Sequence, residues 1–110
     1  MRGLYKLDAD RNPYPIDSTD EAAFYEWAEW YAKEENCRVA RTELADGFVS
    51  TVFTGIEVSF SPNSKPVLFE TRVFGGPIDG DTWRYATWAE AVAGHAAVLE
   101  FCKSIKANEE

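Results

Sequence analysis

The order of apolar and polar positions divides the chain into a helix, a series of strands and a second helix. Between residues 23 and 31, apolar side chains recur with the i, i+3, i+4, i+7 spacing of one helix face. Ser18 and Glu21 have the spacing of a capping box, in which the two side chains satisfy backbone groups of the first turn. The pattern predicts an amphipathic helix of about 17 residues that begins at this box and ends near Asn36. The apolar positions are Phe24, Trp27, Ala28 and Tyr31.

A hairpin is predicted before this helix. Residues 4–7 have the composition of a short strand, residues 8–13 form a polar turn, and residues 14–16 return along the first strand. Pro15 donates no backbone hydrogen bond, so the returning segment fits only at a sheet edge.

After Cys37 the periodicity changes to short runs rich in β-branched and aromatic residues. Ala45-Asp46-Gly47 separates the first two runs, and we expect Gly47 to supply the positive φ of a tight hairpin. Residues 61–66 form the next turn cluster. Because short links join consecutive strands, the pairing must be antiparallel, and a β-meander is predicted. Its strands are 38–44, 48–60 with a break at Gly55, 67–74 and 82–86.

The last segment is predicted to be a helix that opens with a second capping box, from Thr87 to Glu90. With 110 residues, the chain has the usual size of one domain. We therefore expect a single α+β domain over residues 1–110, with an antiparallel sheet of four to six strands, one helix before the meander and one after it. Both helices are predicted to pack on one face of the sheet.

The distribution of charge along the sequence indicates which classes of partner the protein can bind. The chain carries 19 acidic and 11 basic residues, a net charge of −8. Residues 17–36 hold seven of the acids and one lysine, a local charge of −6. Binding to phosphates needs clustered Lys and Arg, and no such cluster occurs along the sequence. The distribution argues against direct nucleic-acid binding and favours a partner protein with a basic surface.

No apolar run has the length of a signal-peptide core or of a membrane span, so the sequence predicts a cytoplasmic protein that does not bind membranes. Cys37 and Cys102 are far apart and form no C-x-x-C pair. We interpret them as two free thiols in a reducing compartment.

His95 is the single histidine and falls on the apolar stripe of the last helix. A core histidine with a satisfied ring nitrogen is favoured over a catalytic base, because no Ser or Cys has a recognisable nucleophile context. The sequence therefore favours a non-catalytic protein.

The stretch from residue 75 to 81 is rich in glycine and aspartate. Glu70, Asp79 and Asp81 offer oxygen ligands, but their spacing matches no EF-hand loop, and Asp-Gly-Asp is typical of a turn. The glycines do not open directly into a helix, which argues against a phosphate loop. No metal or cofactor is predicted.

Five short motifs between residues 37 and 96 resemble a family of small uncharacterised proteins of bacteriophages and prophages. They are Val49–Phe53 (VSTVF), Leu68–Thr71 (LFET), Val73–Gly80 (VFGGPIDG), Arg84–Ala91 (RYATWAEA) and the pair Gly94-His95. The resemblance implies a phage setting and an intracellular location, which would be the host cytoplasm. It implies no reaction.

The leading functional hypothesis is a non-catalytic phage accessory protein that binds a host protein and modulates it, for example a defence or nucleic-acid-handling factor. A face that combines acids and aromatic rings would make the contact. The residues assigned to partner binding are Tyr25, Glu26, Glu29, Trp30, Glu34, Asp79 and Asp81.

Two alternatives stay open. One is a small enzyme or ligand-binding domain whose site lies at the 75–81 loop. The other is a structural or self-assembling phage component, for which a homodimer through Trp83 and Tyr85 is expected; a monomer is the other possible state. The site of the first alternative would be built from Glu70, Arg72, Asp79, Asp81, Arg84 and His95.

Overall fold

The computed structural model of the protein describes residues 3–57 and 65–109, and within them the α+β prediction is confirmed. Three helices and six strands follow one another in this part of the chain. In order they are β1 (Tyr5–Leu7), β2 (Pro13–Pro15), α1 (Glu21–Ala32), α2 (Glu34–Cys37), β3 (Arg38–Leu44), β4 (Gly47–Phe53), β5 (Phe69–Phe74), β6 (Thr82–Tyr85) and α3 (Trp88–Glu109).

The predicted meander is present as a four-stranded antiparallel sheet in the order β3-β4-β5-β6. The predicted N-terminal hairpin is also present, as the separate pair β1-β2. It is tied to the chain that follows β4 by a hydrogen bond of 2.9 Å from the Tyr5 N–H to the Gly55 carbonyl. The hairpin therefore extends the domain beside the end of the sheet.

Side chains alternate between a buried and an open face of the sheet, as a half-buried strand requires. On β4 and β5 the buried set is Val49, Thr51, Phe53, Phe69, Thr71 and Val73. We call their side of the sheet the inner face. Helices α1 and α3 pack there, since Trp30 contacts Phe53 edge-on and Trp88 contacts Phe69 edge-on.

The first helix differs from the prediction at both ends. Asp20, and not Ser18, is the N-cap, and its carboxylate accepts from the N–H groups of Ala22 at 3.0 Å and Ala23 at 3.5 Å. The helix ends at Ala32 instead of near Asn36, because Lys33 is extended and a separate short helix follows. At this end the Trp30 carbonyl accepts from the Lys33 N–H at 3.3 Å and from the Asn36 side chain at 2.8 Å, in place of the N–H that a continuing helix would supply.

The strands match the predicted segments with shifted ends. β4 stops before Gly55, where the break was expected. The predicted residues 58–60 of this strand and most of the following turn lie outside the described residues. Gly47 does not supply a positive φ. It is needed for space, because a Cβ there would lie 1.8 Å from the Phe74 carbonyl oxygen of the neighbouring strand.

The predicted capping box of the last helix is confirmed in its Thr87 half, whereas the Glu90 side chain accepts from the Thr87 hydroxyl and not from its backbone N–H. The Glu90 N–H donates to Thr87 Oγ1 at 3.1 Å, and the Thr87 hydroxyl donates to Glu90 Oε1 at 3.0 Å. Helix α3 then crosses the inner face, where Val98 packs with Val49 and Val73.

Candidate functional site

Helix α1 is held rigidly by one face and leaves the other face open. Trp27 is only 7% exposed, stacks on Tyr31 at 4.7 Å between ring centroids, and donates from its indole nitrogen to the Tyr5 carbonyl at 2.8 Å. The opposite side of the helix carries exposed residues. We call them the acidic helix face: Glu21, Tyr25, Glu26 and Glu29.

The acidic helix face has no compensating cation on its own helix, because α1 contains no Lys or Arg. None of the ion pairs found within residues 3–57 and 65–109 includes Glu21, Glu26 or Glu29. Tyr25 is 59% exposed and meets the ring of Phe24 edge-on at 5.8 Å. The face thus combines uncompensated negative charge with an accessible aromatic ring.

Two residues assigned to partner binding are engaged elsewhere. Trp30 is partly buried and packs against the core, with Phe53 at 6.0 Å and the Lys6 ammonium 5.6 Å from its ring centroid, so it is not one of the exposed residues of the acidic helix face. Glu34 lies on α2 and forms an ion pair with Arg38 at 2.8 Å.

Asp79 and Asp81 lie apart from the acidic helix face. Asp79 accepts from the Gly75 N–H at 2.7 Å, and the Asp81 carbonyl accepts from the Val73 N–H at 3.0 Å, so both shape the turn between β5 and β6. This turn follows the Phe74 end of β5, whereas α1 packs near its Phe69 end. The length of the strand, about 17 Å, lies between them, and the seven residues do not form one surface.

His95 is buried under the sheet with both ring nitrogens engaged, as the core interpretation predicts. Nε2 lies 2.9 Å from Thr42 Oγ1, and Nδ1 lies 2.7 Å from Thr51 Oγ1. Thr51 in turn lies 2.6 Å from Thr71 Oγ1. Burial lowers the pKa of His95, so the neutral ring is favoured. The three threonines orient the histidine and supply neither a carboxylate nor a nucleophilic thiol.

The residues of the predicted ligand site do not converge. Glu70, Arg72 and Arg84 lie on the face of the sheet opposite the inner face, whereas His95 lies beneath the inner face. The sheet separates them, so the prediction of one pocket built from these groups is wrong. The pairing of β5 with β6 instead brings Glu70 and Arg84 together, with their charged atoms 3.4 Å apart.

A cavity of about 360 Å³ is present at the 75–81 loop, but other residues line it. Its body is apolar, with Leu44, Val73 and Ile78 among its walls, and the Cys102 thiol also faces it. The charged residues that line it are Glu43, Asp46 and Lys103. Nothing in the local sequence signals this cavity, because its walls come from two turns and the far part of α3.

Trp83 and Tyr85, assigned to a homodimer, belong to the inner face. They pair with Thr71 and Phe69 and turn toward α3. Trp83 contacts Phe101 edge-on at 6.4 Å, and Phe101 is 46% exposed. What reaches the surface at this point is an apolar groove between β6 and α3.

The second face of the sheet, which we call the outer face, carries a pattern that the sequence reading missed. Strand register aligns Glu43, Phe48 and Phe74 in one row and Arg41, Ser50, Arg72 and Thr82 in the next. A third row holds Arg38, Val52, Glu70 and Arg84. Four of the six arginines of the chain thus lie on one face with two glutamates. These six side chains sum to a charge of +2, and to +1 when Glu34, which pairs with Arg38, is included.

Comparison with known proteins adds no relative: no family model, curated protein or solved structure matches the chain. Within residues 3–57 and 65–109, no three His, Cys, Asp or Glu side chains are grouped so that they could hold a metal ion. Among the described helices, none is both long enough and apolar enough to cross a bilayer.

Proposed function

We propose that this protein is a non-catalytic binding protein that docks on a basic surface of a partner protein through the acidic helix face. The observation that carries the proposal is the presentation of Glu26, Glu29 and Tyr25 on a helix whose other side is anchored by Trp27. Because the backbone of the helix is held in place before binding, no backbone segment has to be ordered on contact, which favours affinity.

The chemistry of the face suggests how binding would work. Exposed carboxylates that form no ion pair within the described residues attract a basic surface over a distance of about one Debye length, and they raise the association rate more than the final affinity. Tyrosine supplies a flat apolar contact with a polar tip, a common anchor of protein interfaces. The sequence resemblance to phage proteins suggests a host protein in the cytoplasm as the partner.

The test is an affinity pull-down of the tagged protein from host-cell lysate at low and high salt, with mass spectrometry to identify what is retained. We expect one stoichiometric basic protein that is lost as salt rises. Glu26→Gln combined with Glu29→Gln should reduce its recovery strongly. The matched control is Asp81→Asn combined with Glu100→Gln, which removes the same charge from exposed positions outside the helix face. This control should leave the recovery of the partner unchanged. Equal recovery with both double variants would contradict the proposal.

Tyr25 allows a second comparison. Tyr25→Ser should weaken the purified complex by about tenfold or more, as the loss of an interface aromatic residue does. Tyr14→Ser removes another exposed tyrosine, on the N-terminal hairpin, and is expected to leave affinity unchanged.

A ligand-binding role at the 75–81 loop is a second candidate, favoured by the cavity beside it. Its volume of about 360 Å³ falls in the range of small-molecule sites, and its walls are mostly apolar. Ligand-observed NMR with a library of small apolar fragments tests this role. Fragments that bind should be displaced when Cys102 is alkylated, and binding that is unaffected by alkylation would exclude the cavity as their site.

A further inference from the structure

We propose that the outer face of the sheet binds single-stranded nucleic acid. This site is separate from the acidic helix face and does not depend on it. The sequence argued against phosphate binding because its basic residues are not adjacent along the chain. The sheet assembles arginines from three strands, β3, β5 and β6, on a single surface.

One end of this surface carries a stack of flat groups. The rings of Phe48 and Phe74 on the two central strands lie parallel, with centroids 4.5 Å apart. The Arg41 guanidinium covers the other side of Phe48, with its carbon 3.8 Å from the ring centroid. Phe74 stays 37% exposed. Unstacked bases bind to aromatic rings and to the planes of arginine side chains. The exposed parts of Phe74 and Arg41 offer one of each, whereas both sides of the Phe48 ring are covered.

The row of arginines lies beside the row of rings. Arg41 and Arg72 occupy one cross-strand row with Ser50 between them, and this row is two residues from the phenylalanine row along each strand. That offset corresponds to about 7 Å. A nucleotide presents a flat base and a phosphate at separate positions, so bases over the ring row would place phosphates near the arginine row.

The charges on this face are free to change partners. Arg38, Arg41 and Arg84 pair with Glu34, Glu43 and Glu70, but the three arginine side chains are 46%, 41% and 60% exposed, and exposed ion pairs contribute little stability. Arg72 has no carboxylate partner among the described residues and lies near the Phe74 ring, at 5.6 Å. An acidic peptide would match the charge but would not use the stacked rings, so the combination favours nucleic acid.

Fluorescence anisotropy of labelled oligo(dT) and oligo(U) of about 12 nucleotides tests the proposal with the full chain. We expect binding at about 50 mM salt that weakens steeply by about 200 mM. Arg72→Glu should lower affinity at least tenfold and reduce the slope of log K against log salt by about 1 or more. Lys103→Glu makes the same charge change at a side chain 67% exposed on α3, and affinity should stay within about twofold.

Phe74→Leu separates stacking from charge. It should lower affinity about tenfold without changing the salt slope, because a base loses its ring and no phosphate contact is removed. Circular dichroism checks that each variant is folded. If Phe74→Leu does not fold, the proposal is tested by the comparison of Arg72→Glu with Lys103→Glu.

Three outcomes would overturn the proposal. The wild-type protein gives no anisotropy change at low salt, or Lys103→Glu weakens binding as much as Arg72→Glu, or polyglutamate displaces the oligonucleotide as well as unlabelled oligonucleotide does. The last result would assign the face to acidic polypeptides. Glu26→Gln with Glu29→Gln should leave oligonucleotide affinity intact, so failure here and failure of the helix-face proposal are distinguishable.

Discussion

Thr51 and His95 are joined by a hydrogen bond of 2.7 Å between the central strand β4 and helix α3. Thr42 engages the other ring nitrogen from the edge strand β3, and Thr71 continues the chain to β5. One helical side chain thus connects three strands through groups that would be costly to bury alone. The network fixes the position of α3 on the sheet and requires a neutral imidazole or a rearrangement of its partners.

This network predicts a loss of stability in mild acid. The folded-state pKa of His95 lies below the value of about 6.5 expected in the unfolded chain. Well above pH 6.5 the His95 ring is neutral in both the folded and the unfolded protein, so its titration does not change the free energy of unfolding. As pH falls below 6.5 the unfolded chain takes up a proton that the folded protein resists, so the free energy of unfolding falls by at most about 1.4 kcal/mol per pH unit until the folded-state pKa is passed.

Urea unfolding between pH 7.5 and about 5.5 measures this loss. His95→Gln should be less stable at pH 7.5 and should lack the His95 component of the pH slope. Because the chain has a single histidine, the difference between the two slopes isolates this group. Parallel slopes for the two proteins would contradict the assignment.

Gly94 predicts an unusual response to alanine. In most exposed helix positions Gly→Ala stabilises by up to about 1 kcal/mol. At Gly94 a Cβ would lie 2.2 Å from the Tyr85 ring, so the substitution forces a shift in the packing of α3 on β6. We expect Gly94→Ala to lower the free energy of unfolding by about 1–3 kcal/mol, as overpacking does.

Tyr85→Leu provides the matched background, because it removes the ring atoms that the new Cβ would meet. In that background Gly94→Ala should be neutral or stabilising when measured by thermal or urea unfolding. A stabilising effect with Tyr85 present would show that the ring is free to move away.

The parts of the fold that sequence predicts are those set by local signals. The alternation along residues 69–74 and the Thr87 cap of the Glu90 N–H are each contained within a few residues, and both are present. The end of α1 at Ala32 is not set by a local sequence signal of this kind. Lys33, Glu34 and Glu35 are good helix formers, so their sequence does not mark the end, and the helix stops where the Lys33 N–H and the Asn36 side chain both reach the Trp30 carbonyl.

The surfaces were harder to predict, because they depend on which residues the fold brings together. The row of Arg41, Ser50 and Arg72 exists only through strand register across two hairpins. Conversely, Glu29 and Asp79 share a charge but lie near opposite ends of the sheet. Composition gives the net charge of the chain, whereas the pairing of its strands determines which positively charged side chains lie together.

Trp27 predicts how the N-terminal hairpin is held. Trp27→Phe retains an aromatic ring against Tyr31 but removes the indole N–H that donates to the Tyr5 carbonyl. We expect a loss of about 0.5–1.5 kcal/mol in the free energy of unfolding. Amide exchange of Ile16, whose N–H donates to the Leu4 carbonyl, should become faster in this variant.

Trp83→Phe is the matched control for the hairpin. It changes a tryptophan that packs on Phe101 at the other side of the domain, so the exchange rate of Ile16 should stay at its wild-type value. Equal acceleration in both variants would indicate a general loss of stability instead of release of the hairpin.

The two thiols are predicted to differ in reactivity. Burial raises the pKa of Cys37 to about 11, and its thiol donates to the Tyr31 carbonyl at 3.8 Å. Burial and the nearby Asp46 carboxylate also raise the pKa of Cys102, but this residue is only partly buried and faces the cavity. Alkylation depends on both thiolate fraction and access. In the native protein at pH 8, iodoacetamide should therefore modify Cys102 well before Cys37, as peptide mass spectrometry will show.

Two controls connect this order to the structure. In denaturant the two cysteines should react at similar rates, because both the burial and the Asp46 contact are lost. Asp46→Asn should speed the alkylation of Cys102 and leave Cys37 unchanged, since removal of a negative charge lowers the pKa of a neighbouring thiol. If native Cys37 reacted as quickly as Cys102, the junction of α2 with the core would have to open far more often than its packing against Phe53 and Leu68 implies.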